Sequence, residues 1–131
     1  MMVRAIFIVF VFAVVACGPG KSEKGASLMK PKEFAANLKE NSDIVLIDVR
    51  SSEEMTTGYI KGAVHLDYNS PGFSESLDSL DHSKTYFVYC ASGKRSGRAV
   101  KMMSEKGFQH AVALDGGLLY WNANGLPTVT P

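Results

Sequence analysis

Four consecutive residues, Ile44-Val45-Leu46-Ile47, constrain the fold more than any other stretch of the chain. Three of them are β-branched and none is polar, so a strand formed here has no face to offer water and must be covered on both sides. Similar short apolar runs recur at residues 86–89 and 111–114, and residues 63–66, interrupted by His65, read as a further brief strand. Helical spacing fills the intervals. Pro31 suits a first helical position ahead of Phe34, Ala35 and Leu38, while Ala99, Val100 and Met103 mark a helix over residues 98–106 that stops at Gly107. Ser52 is expected to cap a short helix through Met55, and a weak helix is expected near residues 74–80, within a segment rich in Ser, Asp, Gly and Pro. Short strands alternating with helices predict an α/β domain built on a parallel sheet. The chain has 131 residues, 46% of them hydrophobic and 21% charged, which suffices for one core and one domain, assigned to residues 27–131.

The N-terminal stretch reads differently. Residues 5–16 are uninterrupted apolar, follow Arg4, and end against Cys17. A run of twelve is short of the roughly 20 residues of a membrane-spanning helix, and its layout is that of a secretory leader. Val14-Val15-Ala16-Cys17 resembles a bacterial lipoprotein box, which implies a signal peptide over residues 1–16 and a lipidated Cys17. An uncleaved N-terminal anchor is the alternative; either way the chain is expected at the membrane of a bacterial cell envelope, its domain facing the periplasm or the exterior. Residues 18–26 hold three glycines and no large apolar side chain, so residues 17–26 are expected to act as lipid attachment point and flexible tether.

Fourteen basic and thirteen acidic residues give a formal net charge of +1, so no field of one sign awaits nucleic acid. Three histidines and two cysteines without ligand spacing predict neither a metal site nor a cofactor. Chemistry is expected at Cys90. It ends the run at residues 86–89 and precedes Ala91-Ser92-Gly93-Lys94-Arg95-Ser96-Gly97, a Gly-containing basic loop leading into a helix. Inward amides, a helix start and the charges of Lys94, Arg95 and Arg98 each favour thiolate over thiol. A cysteine ending a buried strand is also, by itself, an ordinary small core residue. The loop and the helix behind it argue for a nucleophile.

Tyr89-Cys90-Ala91-Ser92-Gly93-Lys94-Arg95-Ser96 resembles the active-site loop of single-domain rhodaneses, the thiosulfate sulfurtransferases. Asp48-Val49-Arg50 with Glu53-Glu54, followed by Gly58-Tyr59-Ile60-Lys61-Gly62-Ala63-Val64-His65-Leu66, resembles the family's first signature, and Asp115-Gly116-Gly117 with Trp121 and Pro127 its closing one. Ser52, Met55, Tyr59 and Lys61 depart from common residues of the first signature. The resemblance implies a rhodanese-like α/β fold, a mostly parallel five-stranded sheet with helices on both faces. It implies that Cys90 takes a sulfane sulfur as a persulfide and that the amides of Ala91, Ser92, Gly93, Lys94, Arg95 and Ser96 cradle it. Arg95 and Lys94 would then attract an anionic donor such as thiosulfate, and the acceptor would be a thiol, cyanide or a protein cysteine. Asp48 and Arg50, expected on the same sheet face as Cys90, either touch substrate or form an ion pair that holds the loops in register. His82 and His110 are expected at the surface, His65 at a structural strand-end contact, and Leu118, Leu119, Tyr120 and Trp121 in core and rim packing.

Two rival readings remain. Cysteine phosphatases and arsenate reductases use a similar strand, loop and helix, but place Arg six positions after Cys, whereas Arg95 is five after Cys90. A non-enzymatic persulfide carrier or binding module could also use such a fold, although inactive members typically lack the cysteine.

Overall fold

The computed structural model describes residues 27–131. The expected leader at residues 1–16, the lipidation site Cys17 and the tether at residues 17–26 lie outside the described residues. The elements run β1 (Leu28–Met29), α1 (Pro31–Glu40), β2 (Val45–Asp48), α2 (Ser52–Met55), β3 (Val64–His65), α3 (Phe73–Asp78), β4 (Thr85–Tyr89), α4 (Lys94–Glu105), β5 (His110–Leu114) and α5 (Gly117–Ala123). The five strands form one sheet in the order β1-β5-β4-β2-β3, and every pairing is parallel.

Side chains along the central strand β4 alternate between two cores, as the pleat requires. Tyr86, Val88 and then Cys90 enter a core with Phe73 and Leu77 of α3 and Ala99, Val100 and Met103 of α4. Phe87 and Tyr89 enter the opposite one, with Phe34 of α1 and Leu118 and Trp121 of α5. On β2, Ile47 joins the first core and Leu46 the second. The absence of polar alternation at residues 44–47 thus has its cause in helices on both faces. Two-residue strands, β1 and β3, form the edges and leave little unpaired backbone to recruit another chain.

Two local expectations need correction, and one strand is additional to them. Ser51, not Ser52, caps α2: its Oγ accepts the Glu54 N–H at 3.2 Å, and the Glu54 carboxylate accepts the Ser51 N–H at 2.9 Å, which closes a capping box. Helix α4 begins at Lys94, four residues before the expected start, so half of the supposed loop is its first turn. Strand β1 has no counterpart among the apolar runs, because two residues paired to Ala113 and Leu114 leave no periodicity to read.

Candidate active site

Cys90 follows the last residue of β4 at the carboxyl edge of the sheet, where parallel α/β folds place their ligands. Only residues 90–93 separate that strand from α4. Gly93 closes this turn at φ +95°, a left-handed conformation that costs a glycine little, and its N–H points back to the Cys90 Sγ at 3.1 Å. Ser96, one turn into the helix, adds its N–H at 3.4 Å and its Oγ at 3.3 Å. With the sulfur ionised, that hydroxyl donates.

The loop carbonyls point the other way. Cys90 O accepts the Leu118 N–H at 2.8 Å and Ala91 O the Leu119 N–H at 3.0 Å, both from the first turn of α5. Gly117 makes this approach feasible, since a Cβ there would lie 2.6 Å from Cys90 O. One helix start therefore takes the carbonyls while the other leaves amides to the sulfur. Cys90 is 1% exposed, and burial pushes its thiol up; hydrogen bonds from the Ser96 hydroxyl and from the backbone of Ser96, Gly93 and Ser92 outweigh it and bring the thiol below its ordinary value.

Arg95 does not point a free charge at the site. Its guanidinium forms a two-pronged pair with Glu54 at 2.7 and 2.8 Å. This contact, first among the causes, with the Ser51 N–H and hydroxyl, outweighs the opposing effect of burial and lowers the Glu54 carboxyl to about 2. Glu54 in turn raises the Arg95 guanidinium. Of the remaining loop residues, Ser92 and Lys94 are exposed and Ala91 is half-buried; Arg98 is exposed one turn further along α4.

Asp48 and Arg50 lie on the other side of the sheet from Cys90, a correction to the expected shared face. Asp48 is in register with Tyr89, which faces the α1 and α5 core, whereas Cys90 is one residue on and points oppositely. The pair is buried, at 0% and 3% exposure, with Arg50 Nη2 2.7 Å from Asp48 Oδ2. Arg50 also donates to Gly58 O at 2.7 Å and Glu54 O at 3.3 Å, and lies over the Tyr89 ring. Burial alone would lower the guanidinium, but the Asp48 carboxylate reverses that and leaves it raised. These contacts give the pair a structural role, joining β2 to the C-terminal end of α2 and to the turn that follows it.

Among the histidines, His65 Nε2 lies 2.6 Å from Arg50 O, a strand-end contact, and His110 is exposed. His82 is not a plain surface residue: its ring stacks on Phe108 at 4.1 Å and its buried Nε2 has no hydrogen-bond partner. Leu118 and Trp121 are core, while Leu119 and Tyr120, expected to pack, stand 64% and 51% exposed.

A cysteine cradled by amides between strand and helix still admits more than one family, and comparison with known proteins decides between them. The family model of the rhodanese-like domain matches residues 30–124. The chain belongs to that family. A putative sulfurtransferase of Bacillus subtilis strain 168 is 36% identical over 104 residues, which cover 76% of this chain and 98% of that protein. A thiosulfate sulfurtransferase of Pseudomonas putida is 30% identical over 93 residues, covering 71% and 83%. The crystal structure of a rhodanese-related protein from Thermoplasma volcanium aligns with a TM-score of 0.71 at 28% identity, over 80% of this chain and 99% of that one. A tRNA uridine(34) hydroxylase of Cytophaga hutchinsonii matches at 36% over 94 residues, but the chain spans only 30% of its length. Sulfurtransferases among these relatives make this a sulfurtransferase-type member of the rhodanese-like family.

Three contributors to this rhodanese-like site escaped the sequence reading: Glu54 as partner of Arg95, the Ser96 hydroxyl as a ligand of the sulfur, and Gly117 as the residue that lets α5 reach the loop. All three residues belong to motifs already singled out, so a signal existed without these roles attached.

Proposed function

We propose that the chain transfers a sulfane sulfur from thiosulfate or a related anionic donor to a thiophilic acceptor through a persulfide on Cys90. One observation carries this reading: the Cys90 sulfur receives two backbone N–H groups and one hydroxyl, an arrangement that holds a thiolate at the strand end. In the first half-reaction the Cys90 thiolate attacks the outer sulfur of thiosulfate. A new S–S bond forms, the old one breaks, and its electron pair leaves with sulfite, so no general base is needed. In the second, an acceptor thiolate or cyanide attacks the outer persulfide sulfur, and the S–S electron pair returns to Cys90. The amides of Ala91, Ser92, Gly93, Lys94, Arg95 and Ser96 form the cradle for the transferred sulfur. Lys94, exposed and without an ion pair among the described residues, draws the anionic donor. Arg95, balanced by Glu54, keeps the loop in place.

The expected lipoprotein leader supports a second part of the proposal, that Cys17 is lipidated and tethers the domain at the membrane, facing the periplasm or exterior. Loss of processing and of membrane association in Cys17→Ser supports this; processing as in wild type contradicts it.

Steady-state transfer from thiosulfate to cyanide tests the chemistry. A double displacement gives parallel lines in double-reciprocal plots at varied fixed acceptor, and Cys90→Ser abolishes turnover while retaining the fold. Intersecting lines, or an active serine variant, contradict the persulfide route. A persulfide that forms but passes to neither cyanide nor thiols assigns the chain to the carrier reading instead.

A further inference from the structure

Charge is distributed unevenly around the site. Residues 82–104 hold five cations and no carboxylate. Arg95 is opposed by Glu54, but Lys94, Arg98 and Lys101 are all exposed and form no ion pair among the described residues. Their spacing of four and three residues puts them on one side of α4, in a row about 10 Å long that starts beside the catalytic loop. Lys94 opens the helix, where a cation opposes the backbone dipole, and no acidic side chain stands in that first turn. Such a placement disfavours the helix by itself and favours whatever anion approaches it. Glu105 ends the row on the same side, at the last residue of the helix. On α5, whose first turn holds the carbonyls of the same loop, Leu119 and Tyr120 are exposed at 64% and 51%. A small free thiol reaches only the Lys94 end of this surface, whereas a polypeptide covers its length.

Resting on the persulfide reading above, we infer that the Lys94, Arg98 and Lys101 face of α4 is the docking surface for a protein acceptor whose reactive cysteine lies in an acidic segment. The acceptor thiolate attacks the outer sulfur of the Cys90 persulfide; the S–S bond to Cys90 breaks, its electron pair stays on Cys90, and the acceptor leaves as the persulfide. Rim charges of this kind act chiefly on the association rate and its salt dependence.

The test loads the full-length chain with inorganic polysulfide or with thiosulfate, verifies the added sulfur by intact mass, and follows its transfer to three probes. These are a cysteine peptide flanked by Asp and Glu, the same peptide with Asn and Gln, and 2-mercaptoethanol. At low salt the acidic peptide is expected to react at least tenfold faster than its neutral twin, and 0.5 M salt should close the gap. Lys101→Glu should remove most of that advantage and leave transfer to 2-mercaptoethanol within twofold of wild type; Arg98→Glu with Lys101→Glu should reverse the preference. Equal rates on both peptides, or a Lys101→Glu loss shared by all three probes, would overturn the docking surface while leaving the persulfide chemistry standing. Failure to load sulfur at Cys90 from either donor overturns the chemistry and the inference together. Phosphatidylglycerol vesicles decide the membrane alternative. If they bind wild type more tightly than Lys101→Glu and block transfer to the acidic peptide, the face belongs to a bilayer and the inference falls; equal binding of both proteins supports it.

Discussion

Two ion pairs flank the four-residue helix α2, and they differ in what they hold. Asp48 and Arg50 are sealed beneath the sheet at 0% and 3% exposure, and Arg50 spends its remaining donors on the carbonyls of Glu54 and Gly58. Glu54 and Arg95 meet nearer the surface, at 35% and 22% exposure, across 41 residues of sequence. The first pair joins neighbours within the scaffold. The second ties that scaffold to the loop that carries Cys90. A buried pair broken on one side leaves an uncompensated charge, whereas a half-exposed one leaves groups that water can satisfy. The same chemical contact thus serves stability in one place and alignment in the other.

Breaking the buried pair should have the largest effect. Arg50→Ala is expected to cost about 3–5 kcal/mol, read as a lower denaturation midpoint, because it leaves the buried Asp48 side chain without its partner. A variant within about 1 kcal/mol of wild type would deny the pair its scaffold role. Glu54→Gln should invert the pattern. Stability should fall by about 1 kcal/mol or less, as for exposed pairs, while sulfur transfer drops on the order of 10- to 100-fold through a misaligned loop. Because Arg95 is already balanced, Arg95→Ala should slow anionic thiosulfate and a neutral persulfide donor alike. A loss confined to thiosulfate would restore the donor-attracting role expected from sequence.

Ser96→Ala sharpens the comparison at the sulfur itself. Without the hydroxyl at 3.3 Å the Cys90 thiol should titrate at higher pH, seen as an upward shift in the midpoint of its alkylation rate by iodoacetamide. An unmoved midpoint would assign the lowered thiol to the backbone amides alone. The smallest effect concerns acid. Glu54 titrates at about 2 in the folded chain against 4.5 ordinarily, so its contribution is fully present above pH 4.5 and is lost as pH falls toward 2. Wild type should therefore lose stability faster than Glu54→Gln across that window; parallel acid unfolding curves would contradict it.

Much of the fold could be read because the relevant signals are local. The apolar run at residues 44–47, Pro31 at the head of α1 and Gly107 behind α4 each report a conformation through their own chemistry. Errors arose where that chemistry is ambiguous. Adjacent serines left the cap of α2 one residue off, and the start of α4 was obscured because its cap is a left-handed glycine and its first turn is cationic, against the usual preference. Cys90 was legible from its strand, loop and helix. The pairing of Glu54 with Arg95 was not, since nothing in either residue's neighbourhood encodes a contact made through the closed fold. The sheet face of Asp48 followed from strand register, and an error of one residue sends a side chain to the opposite layer.

The central claim is that a thiolate held by the Gly93 and Ser96 amides and the Ser96 hydroxyl takes and keeps one sulfur atom. Intact mass spectrometry of the chain mixed with thiosulfate, in the absence of acceptor, tests it most directly. The account predicts a gain of one sulfur mapped to Cys90, absent in Cys90→Ser and erased by cyanide or excess thiol. A wild-type chain that turns over while never carrying that sulfur would contradict it.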